Sequence, residues 1–279
     1  MDREQLLEQA LGFGEEGNWQ AAAELLRDHL EDFSEDAAVH CWLGVAEQEL
    51  GMGGVAYERF KYALSFGTED PYVLATAGNG IAYFDDPDAE QTLRTASMIG
   101  PDIPVTRLMY GAYLVREGFT EKGVEELAAA RDLDPDDPQI AYELGVGWAL
   151  AGDHDRSTDA LADAVRLDPE DGWARIVFGL ELLEADRFEE GAGELMSGAR
   201  IREDDVDAQL VAALAAAAVG RDGVAYEMLE RARIRASEPD LALLTAVEDR
   251  LDAGYEAARE MLEEDLAPDI LRTRLRERP

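Results

Sequence analysis

Apolar residues recur along the chain at the spacing of one face of an α-helix, in stretches of roughly a dozen residues separated by short polar turns. Ala141, Leu144, Gly145 and Trp148 fall at i, i+3, i+4 and i+7, and Leu161, Ala164 and Val165 repeat the pattern in the next stretch. These stretches come in pairs, and the pairs repeat. Gly17, Gly51, Gly118, Gly152, Gly220 and Gly254 stand 34, 67, 34, 68 and 34 residues apart. The two double steps pass over units in which aspartate stands instead, near Asp85 and at Asp186. A column of small residues reads Gly44, Gly78, Gly111, Gly145, Gly179 and Ala213, and another reads Ala22, Ala56, Ala89, Gly123, Ser157, Gly191, Ala225 and Ala258. A fourth column is large and apolar: Leu26, Phe60, Leu93, Leu127, Leu161, Leu195, Leu229 and Leu262.

Each column has a physical reason. A glycine after the first helix of a pair supplies the left-handed residue that ends it. Small residues let two helices approach, and the large apolar residue fills the space beside them. Pro135 and Pro169, each in a Leu-Asp-Pro sequence, end the second helix, and Pro101 occupies the same column. Gly191, Gly193 and Gly198 share one second helix and are expected to make it a soft point, at up to ~1 kcal/mol each relative to alanine.

With Leu144-Gly145, Trp148, Gly152, Leu161, Ala164 and Pro169 in register, the pattern resembles the tetratricopeptide repeat, a helix–turn–helix unit of 34 residues. The resemblance implies an all-α, right-handed solenoid of about eight helix pairs forming a single domain over 1–279. The units fall at approximately 3–36, 37–70, 71–103, 104–137, 138–171, 172–205, 206–238 and 239–267. The third is one residue short and lacks the turn glycine (Phe84-Asp85-Asp86-Pro87). Residues 268–279, apolar on one side and carrying Arg272, Arg274, Arg276 and Arg278 on the other, are expected to form a capping helix and tail. The alternative is a basic contact for an acidic partner, including a neighbouring copy, through Arg272, Arg274 and Arg276.

The resemblance also says where to look for a binding surface. In tetratricopeptide arrays the first helix of each pair lines the concave side. The stripe expected there reads Tyr72, Ala75 and Asn79; Val105, Leu108 and Ala112; Gln139, Tyr142 and Val146; Trp173, Ile176 and Leu180; then Leu210 and Leu214. Family members that clamp an acidic C-terminus use lysine, arginine and asparagine on this stripe; here only Asn79 remains. The stripe is apolar and aromatic, which suits an apolar peptide or an amphipathic helix of a partner. Core packing between neighbouring first helices is the competing explanation. The function this implies is a protein-interaction adaptor or scaffold; the alternative is a self-associating assembly element, a homo-oligomer. A catalytic activity is not expected.

Charge narrows the partners. The net charge is −37, and only Lys61 and Lys122 among the basic residues are lysine. A surface so acidic argues against nucleic acid and against anionic membranes. The composition resembles that of proteins from salt-accumulating halophiles, in which salt screens the self-repulsion. No apolar stretch approaches the ~20 residues of a membrane span, and the opening Met1-Asp2-Arg3-Glu4 has no secretory pattern, so a cytoplasmic protein is expected. Cys41, the single cysteine, reads as a buried hydrophobe. No cofactor or metal is implied. Asp153-His154-Asp155 reads as a cap on the following helix, and Asp134-Pro135-Asp136-Asp137 as a turn. Gly51-Met52-Gly53-Gly54 lacks the lysine and strand of a phosphate loop.

Overall fold

The computed structural model describes residues 1–276, and among them every regular element is helical. Sixteen helices follow in consecutive pairs: α1 (Arg3–Glu15), α2 (Trp19–Asp28), α3 (Ala37–Glu49), α4 (Gly53–Ser65), α5 (Pro71–Ala82), α6 (Ala89–Ile99), α7 (Pro104–Arg116), α8 (Thr120–Leu133), α9 (Pro138–Leu150), α10 (His154–Leu167), α11 (Gly172–Glu184), α12 (Phe188–Ile201), α13 (Val206–Ala218), α14 (Asp222–Arg235), α15 (Leu241–Ala253) and α16 (Tyr255–Met261). A π-helical turn, Leu262–Leu266, then leads into α17 (Ala267–Arg274). The helices form two compact units, one of residues 1–133 and one of residues 134–276.

The four columns of the sequence become four structural roles. Gly17, Gly51, Gly118, Gly152, Gly220 and Gly254 all have positive φ, and so do Asp85 (φ 52°) and Asp186 (φ 60°), the residues that replace glycine in the skipped units. Aspartate tolerates this region through local side-chain hydrogen bonding, so the turn survives without glycine. The large column is buried throughout, from Leu26 to Leu262. Its members fill the space that the small column leaves open. A Cβ built on Gly44 would lie 2.8 Å from Phe60, and one on Gly145 2.6 Å from Leu161.

A further register marks the start of the first helices. Asp2, Asp36, Asp70, Asp137, Asp171 and Asp205 each precede a first helix and accept hydrogen bonds from its opening backbone N–H groups. They fall 34, 34, 67, 34 and 34 residues apart. Part of the acidic excess is thus helix capping, where a carboxylate also meets the positive end of the helix dipole.

The sixth pair corrects an expectation. Gly191 and Gly198 do not simply weaken α12. A Cβ on Gly191 would lie 2.6 Å from the carbonyl oxygen of Gly179, and one on Gly198 2.6 Å from Ile176 Cγ1. Both are packing positions that let α11 and α12 close on each other. Only Gly193 faces open space.

Candidate interaction surface

In the second unit the helix α13 is buried on every side, from Ala208 to Ala218. Its partner α14 and the preceding α12 cover two sides. The rest is covered by α15, by α16 and by the π turn Leu262–Leu266. A helix apolar all round needs such a sheath, and this accounts for its run of alanines. The chain then continues past α13. Helix α17 reaches back to α11, the first helix of the sixth pair. Ile270, Leu271 and Leu275 enter one buried cluster with Leu180, Leu210 and Leu214. The Arg274 guanidinium lies 3.4 Å from the centre of the Trp173 ring, and that of Arg202 lies 5.0 Å from the same centre. A guanidinium over an indole face is attracted by the ring quadrupole. Asp207, in the first turn of α13, stands near this arginine. Burial and the neighbouring Asp205 push its carboxyl above the usual range, while Arg274 pulls it back.

The expected stripe divides on this geometry. Trp173 and Tyr142 are half-buried and pack against the core cluster of the second unit. In the first unit Tyr72 is 55% exposed, at the register on α5 that Trp173 holds on α11. Asn79 is buried on α5. The other positions are corrected. Leu108 and Ala112 are buried on α7, which packs directly on α5. Val146, Leu180 and Ile176 are fully buried. Ile176 turns toward its own pair, against Gly198 of α12; it lies about 60° around the helix from Trp173. Leu180 is covered within the cluster that α17 joins. The segment expected to cap the array does form a helix, and it packs on the π turn and on α11. Arg272 pairs with Asp269 of its own helix, Arg274 is taken by Trp173, and Arg276 is exposed. Residues 277–279, including Arg278, lie outside the described residues.

The remaining candidates for chemistry have structural partners. Cys41 is buried, and burial pushes its thiol up to about 12. Asp153 caps α10 through the Arg156 N–H, and Asp137 caps α9. His154 does not cap; its Nδ1 lies 3.0 Å from Glu181 Oε2 on α11. The hydrogen bond to Glu181 holds the imidazole above its ordinary value, and burial pushes the Glu181 carboxyl up as well. Both groups therefore bind protons more tightly in the folded chain. The stability that His154 confers is present below the ordinary histidine value and is lost as pH rises through the raised one. The melting temperature of wild type is accordingly expected to fall from pH 6 to pH 8 relative to that of His154→Gln, both measured in high salt. A parallel response of the two proteins excludes the coupling. Among the described residues no group of histidine, cysteine and carboxylate side chains could hold a metal ion, and no helix is long and apolar enough to cross a membrane.

The paired helices, the left-handed turn residues and the interlocking small and large columns define a tetratricopeptide-type fold. Solved structures agree. The chain is similar to the protein of the Cut9–Hcn1 hetero-tetramer of APC/C (TM-score 0.71, 16% identity), over 86% of this chain and 48% of that one. It therefore spans about half the length of that chain. It is also similar to a thermophilic tetratricopeptide protein of Thermus thermophilus (TM-score 0.55, 21% identity, covering 65% of this chain and 100% of that one). Pseudomonas aeruginosa pilF aligns over 71% of this chain and 91% of its own (TM-score 0.55, 18% identity). No protein-family model and no curated protein matches the sequence.

Proposed function

We propose that the protein is an interaction adaptor that holds an amphipathic or apolar helical segment of a partner protein against its first helices. The observation that carries this reading is α17. The α11 face of the second unit receives an amphipathic helix through aliphatic side chains and an arginine laid on Trp173. A surface that accepts one such helix has the apolar floor and the aromatic anchor that helix-in-groove recognition uses. The same fold in the Cut9–Hcn1 hetero-tetramer serves an assembly of several chains. In this reading the protein does no chemistry of its own and works in the cytoplasm, in salt that screens its net charge of −37.

A photo-crosslinking residue placed at Tyr72, on first helix α5, tests the reading against one at Ile234, on second helix α14. Both positions are well exposed, at 55% and 75%. Partner protein is expected to crosslink from position 72 and not from position 234. Crosslinks from position 234 alone would move the binding surface to the second helices and end the proposal.

A further inference from the structure

The helix α17 belongs by sequence to the end of the array, yet beyond the adjoining π turn it packs on α11. Its inward residues are two adjacent aliphatics, Ile270 and Leu271, then Arg274 and Leu275, at i, i+1, i+4 and i+5. Its outward residues Asp269 and Arg272 are exposed and pair with each other. The segment is thus an amphipathic ligand in form, tethered to its own receptor.

The tether is built differently from the helices on either side. Over Leu262–Leu266 the backbone is π-helical, and Pro268 follows at the start of α17. Proline lacks an N–H, so the carbonyl four residues before it, on Glu264, loses its helical donor. The backbone ladder therefore lacks a donor between α16 and α17. On the near side of this joint, α16 and the π turn complete the burial of α13 and cannot leave without exposing it. On the far side, α17 is one short helix packed on α11 through Ile270 and Leu271.

Building on the adaptor reading above, we propose that α17 is a displaceable occupant of the α11 face, and that the ligand of this face in trans is an amphipathic helix of a partner protein with the same pattern. That pattern is two adjacent branched aliphatics, an arginine four residues after the first of them, and an aliphatic next to it. The arginine lies over Trp173 beside Asp207, which would repel a carboxylate there; the other guanidinium at this ring, Arg202, is already paired with Asp205. A basic helix is also the one that a chain of net charge −37 attracts. Binding opens the molecule at the π turn, displaces α17 and leaves α13 covered.

Hydrogen exchange on the full chain tests this, with a synthetic peptide of residues 264–276 as the probe. At saturating peptide, the amides of 267–274 are expected to lose protection while those of 206–218 keep it. The same peptide carrying Arg274→Glu is expected to bind at least tenfold more weakly. The full-length variant Arg274→Ala, whose own α17 competes less well, is expected to bind the wild-type peptide about tenfold more tightly than wild type does. Protection of 267–274 that tracks 206–218 and does not change at millimolar peptide would make α17 a fixed part of the core and overturn the proposal. Equal affinity of wild type and Arg274→Ala for the peptide would also overturn it. A concentration-dependent dimer with α17 still protected would seat a second copy on α11 and replace the partner named here. None of these outcomes touches the crosslinks from position 72, so the adaptor reading stands or falls separately.

Discussion

Phe60→Ala is expected to destabilise the protein by about 3–5 kcal/mol, the range for removing a large buried aromatic. Phe60 is buried on α4 and is the one aromatic in a column otherwise made of leucine. Its ring occupies two vacancies at once. A Cβ on Gly44 of α3 would lie 2.8 Å from it, and one on Gly80 of α5 2.3 Å from it. The ring therefore joins the second pair to the third. Ala56, Ala63, Val73, Ala77 and Ile81 share its cluster, and the three alanines have no side-chain torsion with which to fill the space an alanine at 60 would leave. Small neighbours on fixed helices relax little, so the cavity term is added to the lost transfer energy. Urea denaturation followed by far-ultraviolet circular dichroism measures the loss. Phe60→Leu, which restores the column's usual residue, is expected to recover most of it. A loss under about 1 kcal/mol for the alanine variant would mean that α3 and α5 close over the gap, contrary to the geometry.

Most of this architecture was legible in the sequence because each repeat makes the same demand at the same place. Positive φ at a turn admits few residues, and a helix crossing with no room for a Cβ admits fewer, so those columns stand out in a single chain. Even the substitutions at Asp85 and Asp186 could be read, since aspartate enters the left-handed region more readily than most residues. The binding stripe was less legible. A buried leucine and a groove-lining leucine look alike in sequence, and the stripe mixed the two. Trp173 and Leu180 lie near one line of α11, but Ile176 sits about 40–60° from them and makes the contact with α12. Nor does periodicity say which element covers a face. The path of α17 back to α11 depends on a joint at residues 262–266 that has no helical-period signature. One signal could have pointed there. Ala208 to Ala218 offers no polar side to water, so a helix at that place had to be covered all round by something other than its repeat neighbours.

The contrast between two glycines of α12 should be nearly as large as the effect at Phe60. Gly191→Ala is expected to cost about 1–3 kcal/mol, as overpacking of a closed contact does. Gly193→Ala, two residues on, is expected to gain about 0.5–1 kcal/mol through helix propensity. At position 191 the new methyl would meet the Gly179 carbonyl oxygen at 2.6 Å and Leu183 Cδ2 at 2.9 Å. The side chain can move, but the carbonyl belongs to the backbone of α11, and giving way there means parting the two helices. At position 193 there is nothing within 4 Å of the added methyl. The fourth pair closes in the same way, with Gly123 against the Gly111 carbonyl oxygen at 2.8 Å. In the fifth pair Ser157 stands at the equivalent register and is buried beside Gly145's helix, so that crossing is set for a Cβ. The same column thus holds alanine, serine or glycine according to how far its pair has closed. Chemical denaturation of the two single variants separates close packing from flexibility as the reason for glycine in α12. If both substitutions stabilise, the α11–α12 crossing has slack and glycine at 191 is dispensable. If position 191 loses stability while 193 gains it, the spacing of the sixth pair is set by the missing Cβ. That spacing fixes where α11 presents Trp173 to the helix that covers it.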